Sequence, residues 1–171
     1  MRMRFAKTAA TAACLALAAC STSKLEQCPS ASALVDTATY PVWQGDPGNY
    51  VYFAQITNTK RDCDIDKYSK SVTASATVSF RAWRRPGPAV TYKAPIYVAI
   101  TTEGRIIKKY TYSVQVSFES GQATTEFTQA IDSLPLKVEQ DKRAADYGIL
   151  IGFQLTRAQL DYNRRAGRYP K

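Results

Sequence analysis

Between Val72 and Trp83 the chain alternates with period two: Val72, Ala74, Ala76, Val78, Phe80 and Ala82 share one parity, and Thr73, Ser75, Thr77, Ser79 and Arg81 the other. On a helix this spacing would scatter the apolar groups around the axis, whereas a strand gathers them on one side. The segment is therefore a strand with one face against a core, and such a strand needs hydrogen-bonded neighbours and a second layer to cover it. A second run behaves alike. Ile106, Tyr110, Tyr112, Val114, Val116 and Phe118 oppose Lys109, Thr111, Ser113, Gln115 and Ser117, with Lys108 interrupting the apolar row near its end.

Turn residues fall where such strands would reverse. Glu103-Gly104 and Ser120-Gly121 each separate two β-rich runs, with glycine to supply the positive φ of a tight turn, and Pro86-Gly87-Pro88 makes a further break. Strands are placed at 33–42, 50–58, 72–83, 90–101, 105–118, 123–131 and 147–155. About seven strands at this spacing predict an all-β chain, an immunoglobulin-like antiparallel β-sandwich over 33–156. Tyr147, at the head of Tyr147-Gly148-Ile149-Leu150-Ile151-Gly152-Phe153, resembles a tyrosine corner. Gly148 and Gly152 lie opposite Ile149, Ile151 and Phe153 and mark either bulges or a close backbone approach. Thr156-Arg157-Ala158-Gln159 has the T-x-x-Q form of a capping box, so a short helix follows over 157–166, with Gly167 as its stop, in a basic C-terminal segment 157–171.

Composition then narrows the chemistry. A chain of 171 residues, 45% apolar and 22% charged, is one ordinary globular domain. It contains no histidine, which removes imidazole-based catalysis and the usual zinc sites. Phosphate-binding glycine loops, nucleophile elbows and metal-ligand clusters are likewise missing from the sequence. Glu119, Glu126 and Asp132 are the carboxylates a glycosidase pair could draw on, and nothing in their spacing selects them. Asp62-Cys63-Asp64-Ile65-Asp66 opens like an EF-hand calcium loop, but Lys67 and Thr73 stand where that loop requires glycine and glutamate. The segment reads as an exposed acidic loop beside a disulfide. The expectation is a non-enzyme with no metal and no cofactor.

The N-terminus addresses the chain. Arg2, Arg4 and Lys7 precede a small-residue apolar run over Thr8–Ala19, and Leu17-Ala18-Ala19-Cys20 closes it. This resembles the lipobox of a bacterial lipoprotein precursor cut by signal peptidase II; the plain alternative is a secretory signal cut after Ala16-Leu17-Ala18. The resemblance implies a signal peptide over 1–19, acyl chains on Cys20 and a short tether over 20–32. A run of 12 apolar residues is too short for a membrane span, which needs roughly 20. Two or three acyl chains anchor stably where one does not. Ser21, where an aspartate would signal inner-membrane retention by analogy with enterobacterial lipoproteins, points by that analogy to the outer membrane; the expected location is an outer-membrane lipoprotein facing the periplasm.

Cys14 leaves with the signal and Cys20 takes the lipid, so Cys28 and Cys63 are the thiols left to pair in an oxidising compartment. Cys28 lies eight residues beyond Cys20, a reach of at most about 30 Å. The domain cannot stand far from its membrane.

Gly152-Phe153-Gln154-Leu155-Thr156, then Gln159-Leu160 and Tyr162-Asn163-Arg164, resembles the C-terminal signature of uncharacterised alphaproteobacterial envelope lipoproteins; Cys28-Pro29, Cys63-Asp64 and Val98-Ala99-Ile100 are similar to that group too. The resemblance implies the same location and carries no mechanism.

Without Arg2, Arg4 and Lys7, 20 Lys+Arg stand against 14 Asp+Glu, a net of +6. The candidate contact residues are the basic clusters Arg84-Arg85, Lys108-Lys109 and the C-terminal Arg164, Arg165 and Arg168, and Trp83, which falls on the polar parity of its strand beside two arginines. The bland alternative is a solvated cationic face and a core tryptophan. Nucleic acid is not expected for an exported chain without a binding motif. The sequence thus predicts a membrane-anchored envelope lipoprotein that binds or scaffolds an envelope protein. The alternative is electrostatic binding of an anionic envelope polymer or lipid (peptidoglycan, lipopolysaccharide, phospholipid) through the basic C-terminus.

Overall fold

The computed structural model describes residues 28–66 and 68–166. The signal segment, Cys20, the tether up to residue 27, Gly167 and Arg168 lie outside the described residues. Eight strands follow in chain order: β1 (Ser30–Ala33), β2 (Thr39–Trp43), β3 (Tyr50–Asp66), β4 (Ser71–Arg84), β5 (Val90–Thr102), β6 (Arg105–Phe118), β7 (Thr124–Lys137) and β8 (Tyr147–Phe153), and then one helix, α1 (Arg157–Ala166). They form two four-stranded sheets, ordered β1-β8-β5-β6 and β2-β3-β4-β7. All pairings are antiparallel except β1 with β8. The chain is an all-β sandwich with a short C-terminal helix; the immunoglobulin likeness is one of two-layer architecture, carried here by its own strand order. Among the described residues no helix is long and apolar enough to cross a membrane.

The core lies between the sheets. All six apolar residues of the alternating run on β4 are at most 2% exposed. Phe80 and Phe153 meet edge to face at 5.8 Å across that core. Tyr147 is buried and its hydroxyl accepts the backbone N–H of Glu139, eight residues upstream, at 3.1 Å, as a tyrosine corner does. The Cys28–Cys63 disulfide forms, with Cα atoms 5.7 Å apart, and ties the start of the described chain to β3.

Several boundaries differ from the sequence reading. The single strand expected at 33–42 is two strands in opposite sheets, joined by a 3-10 turn over Val35–Thr37. Leu34 donates its N–H to Ile151 on one sheet, and Ala38 accepts the N–H of Ile56 on the other. The backbone thus changes layers within four residues, and this accounts for the eighth strand. The strand expected to stop at residue 58 runs on to Asp66, paired with β4 throughout, so Asp62–Asp66 is not a loop. Hydrogen bonding to Ser71–Ser75 holds that acidic stretch extended, with Asp62, Asp64 and Asp66 on its exposed face.

Two bulges explain the rest. On β6, Lys108 pairs with Ile100 and Ile106 with Thr101, leaving Ile107 as an extra residue. One inserted residue inverts the parity beyond it, so Ile106 does not join the buried row and is 61% exposed. On β7, Asp132 and Ser133 together oppose Ser75, and Ser133 takes a φ of 57°. The strand then continues past its expected end to Lys137, with Pro135 tolerated because β7 is an edge strand. On β8 the glycines mark close approach and no bulge. A Cβ on Gly152 would lie 2.1 Å from the Thr37 hydroxyl oxygen, where Thr37 and Tyr97 share a hydrogen bond across the strand.

Candidate functional site

On the outer face of the β2-β3-β4-β7 sheet, the residues with parity opposite to the core are aromatic at one end. Phe53 and Trp83 stand directly opposite each other on β3 and β4. Their rings stack at 4.5 Å with 13° between planes. Arg81, two residues before Trp83 on the same face, places its guanidinium 5.9 Å from the indole centroid and pairs with Glu126 of β7 at 2.6 Å. Tyr50 packs on Phe53 at 5.6 Å, and Tyr162 of α1 packs on Trp43 at 5.3 Å. The hydroxyls of Tyr50 and Tyr162 hydrogen-bond to each other. Trp83, Phe53, Tyr50, Tyr162 and Trp43 thus make one continuous half-buried aromatic surface. Burial, and then the hydrogen bond with Tyr162, push the Tyr50 hydroxyl well above the ordinary tyrosine pKa, so it stays protonated.

The helix is held against this face by two side-chain amides. Gln159 donates to the carbonyl of Pro41 at 2.7 Å, and Asn163 donates to the carbonyls of Thr39 at 2.8 Å and Asp36 at 3.0 Å. Four residues of helix rise about 6 Å, and two residues of strand about 6.6 Å. Amides four apart on α1 therefore match carbonyls two apart on β2. The helix satisfies the outward carbonyls of an edge strand without being a strand, and it covers that edge. Gln159 also accepts from the Thr156 N–H at 2.9 Å, so the capping box read from the sequence is built and its glutamine joins the tertiary contact.

Two clefts open on this surface. One, of about 250 Å³, lies at the seam between helix and sheet, with Asp36, Tyr50, Phe53, Tyr162 and Arg164 on its walls. The other, about 220 Å³, is lined by Gly48, Tyr50, Phe53, Trp83, Arg84 and Arg85. Tyr50 and Phe53 belong to both, so the structure brings Trp83, Arg85 and Arg164 from two distant stretches of sequence onto one face, with Arg84 at the margin of the second cleft. Both clefts are below the roughly 300 Å³ of ordinary small-molecule pockets. The arrangement is a shallow aromatic face with no enclosed cavity of that size among its two clefts.

The arginines differ in what they can offer. Arg84 points inward and is committed to the fold: it donates to the carbonyls of Gln122, Gly87 and Glu119 at 3.0–3.1 Å and lies 5.0 Å over the Phe118 ring, closing that end of the sandwich. Arg85 is exposed and donates to the Asn49 side chain at 3.2 Å. Arg164 pairs with Asp36 at 3.2 Å, and Arg165 is exposed in the last turn of α1.

Sequence reasoning missed Tyr50, Phe53 and Tyr162. Phe53 was legible in principle, since it sits on the polar parity of its strand as Trp83 does; Tyr162 carried no such signal, because its partners come from β2 and β3. The carboxylates weighed for catalysis are dispersed. Glu126 is paired with Arg81, and Asp132 lies six residues further along β7, about 20 Å, where a glycosidase pair needs no more than about 9.5 Å. Among the described residues there is no group of three His, Cys, Asp or Glu that could hold a metal ion. Comparison with known proteins finds no family model, no curated protein and no solved structure that matches this chain.

Proposed function

We propose that the mature chain is a membrane-anchored envelope lipoprotein, held by acyl chains on Cys20, that works as a non-catalytic binding module for a protein partner. The stacked Phe53–Trp83 pair, laid open on the outside of a sheet and flanked by Arg81 and Arg85, supports this reading most. Tryptophan, tyrosine and arginine on a pre-organised, half-desolvated face are the residue types that anchor protein interfaces. The position of the face is consistent with the anchor. Phe53 lies ten residues along β3 from Cys63, about 30 Å, so the surface points away from the tethered end.

The second reading, electrostatic capture of an anionic envelope polymer through Arg164, Arg165 and Arg168, draws on the net charge of the mature chain. Against it, Arg164 is neutralised by Asp36. The test is an affinity pull-down from detergent-solubilised envelopes with the native N-terminus kept. Under the protein-partner reading, Trp83→Ala lowers capture of a defined partner at least roughly tenfold, and the triple change Arg164→Ala, Arg165→Ala, Arg168→Ala leaves most of it. The opposite ranking, with capture collapsing as salt is raised, would establish the polymer reading instead.

A further inference from the structure

The end of the sandwich remote from the aromatic face also exposes apolar groups. Tyr68, in the β3–β4 turn, is 100% exposed; Ile106 and Ile107, beside the β5–β6 turn, are 61% and 49% exposed. The two turns are neighbours in space. A groove of about 590 Å³ between them is walled by Ser69 and Ser71 on one side, Ile107 and Lys108 on another, and Pro135 and Lys137 at the end of β7.

The chain enters the domain at this same end. Ser30 pairs with Gly148, Gly148 with Thr101, and Thr101 with Ile106, so the start of β1 is level with the exposed isoleucines, and Cys28 lies two residues before it. From there Cys20 is eight residues away, at most about 30 Å. A body held on so short a leash turns its entry end to the bilayer.

Charges of both signs lie at this end: Asp62 and Asp64 stand exposed on the outer face of β3, and other carboxylates are held by neighbours. Glu103 is shared by Arg105 and Lys142 at 3.2 and 3.3 Å, Glu139 pairs with Lys142 and Asp146 with Arg143 at 2.8 Å, and Asp66 folds its carboxylate back onto Tyr68 and Ser69. Lys70, Lys108 and Lys137 have no carboxylate within ion-pair distance among the described residues. Lys70 and Lys137 are exposed, and Lys108 rests its ammonium 5.1 Å over the Tyr110 ring; exposed apolar tips beside such lysines are what a headgroup layer receives, side chains entering the acyl boundary while ammonium groups meet phosphates.

We propose that the turn tips carrying Tyr68, Ile106 and Ile107, with Lys70, Lys108 and Lys137 around them, form a docking face for the anionic lipid surface of the membrane that holds the chain. This rests on the lipoprotein reading only for orientation; the face itself stands on exposure and charge. Docking would fix the domain upright and hold the Phe53–Trp83 surface outward.

The experiment is hydrogen exchange on full-length native protein reconstituted in phosphatidylcholine vesicles with or without phosphatidylglycerol, beside mass spectrometry of its N-terminus. Amides of 68–71 and 104–108 should exchange at least about fivefold more slowly when phosphatidylglycerol is present. Each of Lys70→Ser, Lys108→Ser and Lys137→Ser should remove roughly fivefold of the underlying affinity. The combined Tyr68→Ser, Ile106→Ser, Ile107→Ser change, all at exposed positions, should abolish the protection, and Lys93→Ser, an equal charge loss elsewhere, should leave it intact. Equal exchange in both vesicles on an acylated chain overturns the docking face and leaves the anchor reading standing. An unmodified Cys20 overturns the anchor reading, and the same exchange comparison, run with vesicles added to that material, still decides the face. Protection that appears in detergent without lipid and rises with protein concentration would mean a second copy covers the face, and the lipid proposal would be wrong.

Discussion

The two ends of the sandwich both present aromatic and cationic groups, yet they are held in opposite ways. At the Phe53–Trp83 end the rings stack on one another and the cations are arginines; Arg81, Arg84 and Arg164 are each tied to a carboxylate or to carbonyls. At the Tyr68 end Tyr68 stands on a turn and Ile106 and Ile107 at the bulged start of β6, none of them ring-stacked, and the cations without a carboxylate among the described residues are lysines. Arginine's rigid fork suits fixed partners, whereas lysine is a mobile point charge. A surface whose geometry is already set by folding loses little entropy on meeting one specific shape. A loose one suits a fluid layer that has no shape to match. Composition rates the two ends alike; how each side chain is restrained separates them.

Four measurements test this contrast. The largest effect belongs to the core both ends share: Phe80→Ala, at a side chain 1% exposed, should cost about 3–5 kcal/mol, read as a fall in the denaturant midpoint for both ends together. Next comes the disulfide. Cys28→Ser with Cys63→Ser opens a closed loop of 35 residues and should cost about 3–4 kcal/mol on the chain-entropy account. Hydrogen exchange should rise first at β1 and the Cys63 half of β3; uniform loosening would show that the ends are not separable. Gln159→Ala leaves the Pro41 carbonyl without its donor and should cost about 1–3 kcal/mol. It should free α1, with Tyr162 losing its contacts at the aromatic end and the tips at residues 68 and 106 unmoved. The smallest effect is electrostatic and belongs to the soft end. The Ser69 hydroxyl, then the backbone N–H groups of Tyr68 and Ser69, hold the Asp66 carboxyl below the usual carboxylate pKa. The folded state therefore binds that proton less readily than the unfolded chain. Its stabilising contribution is present above the ordinary value of about 4 and is lost as pH falls through the lowered one. Asp66→Asn should flatten that part of the stability-against-pH curve and change nothing near neutrality beyond the loss of the turn's hydrogen bonds.

How much was legible can be judged from particular residues. The inward row from Val72 to Ala82 was readable because a strand with one buried face writes its burial into alternate positions, and every one of those residues is buried. Thr156 and Gln159 were readable as a cap because capping acts within one helical turn. Ile106 falls outside the buried row since a bulge at Ile107 leaves no mark on composition, only on register. The charges of Asp62–Asp66 suggest a loop, while the pairing that makes it a strand comes from residues 71–75. In the candidate site, Trp83 could be flagged from its parity. Arg84 continues the inward parity of β4 and Arg85 the outward one, but parity alone does not show what an inward arginine would meet; the structure does, by turning Arg84 onto three carbonyls and leaving Arg85 exposed.

The order of amino acids was enough for the all-β class, the approximate strands and the terminal helix, since hydrophobic period and capping are written between near neighbours. Elimination among the cysteines added the pairing of Cys28 with Cys63. Where the chain changes sheets, which edge the helix seals and which arginines stay free to meet another molecule were settled by the folded arrangement alone. Those outcomes depend on register and on hydrogen bonds between residues more than a hundred positions apart, such as Gln159 with Pro41, and no local pattern encodes a partner at that distance.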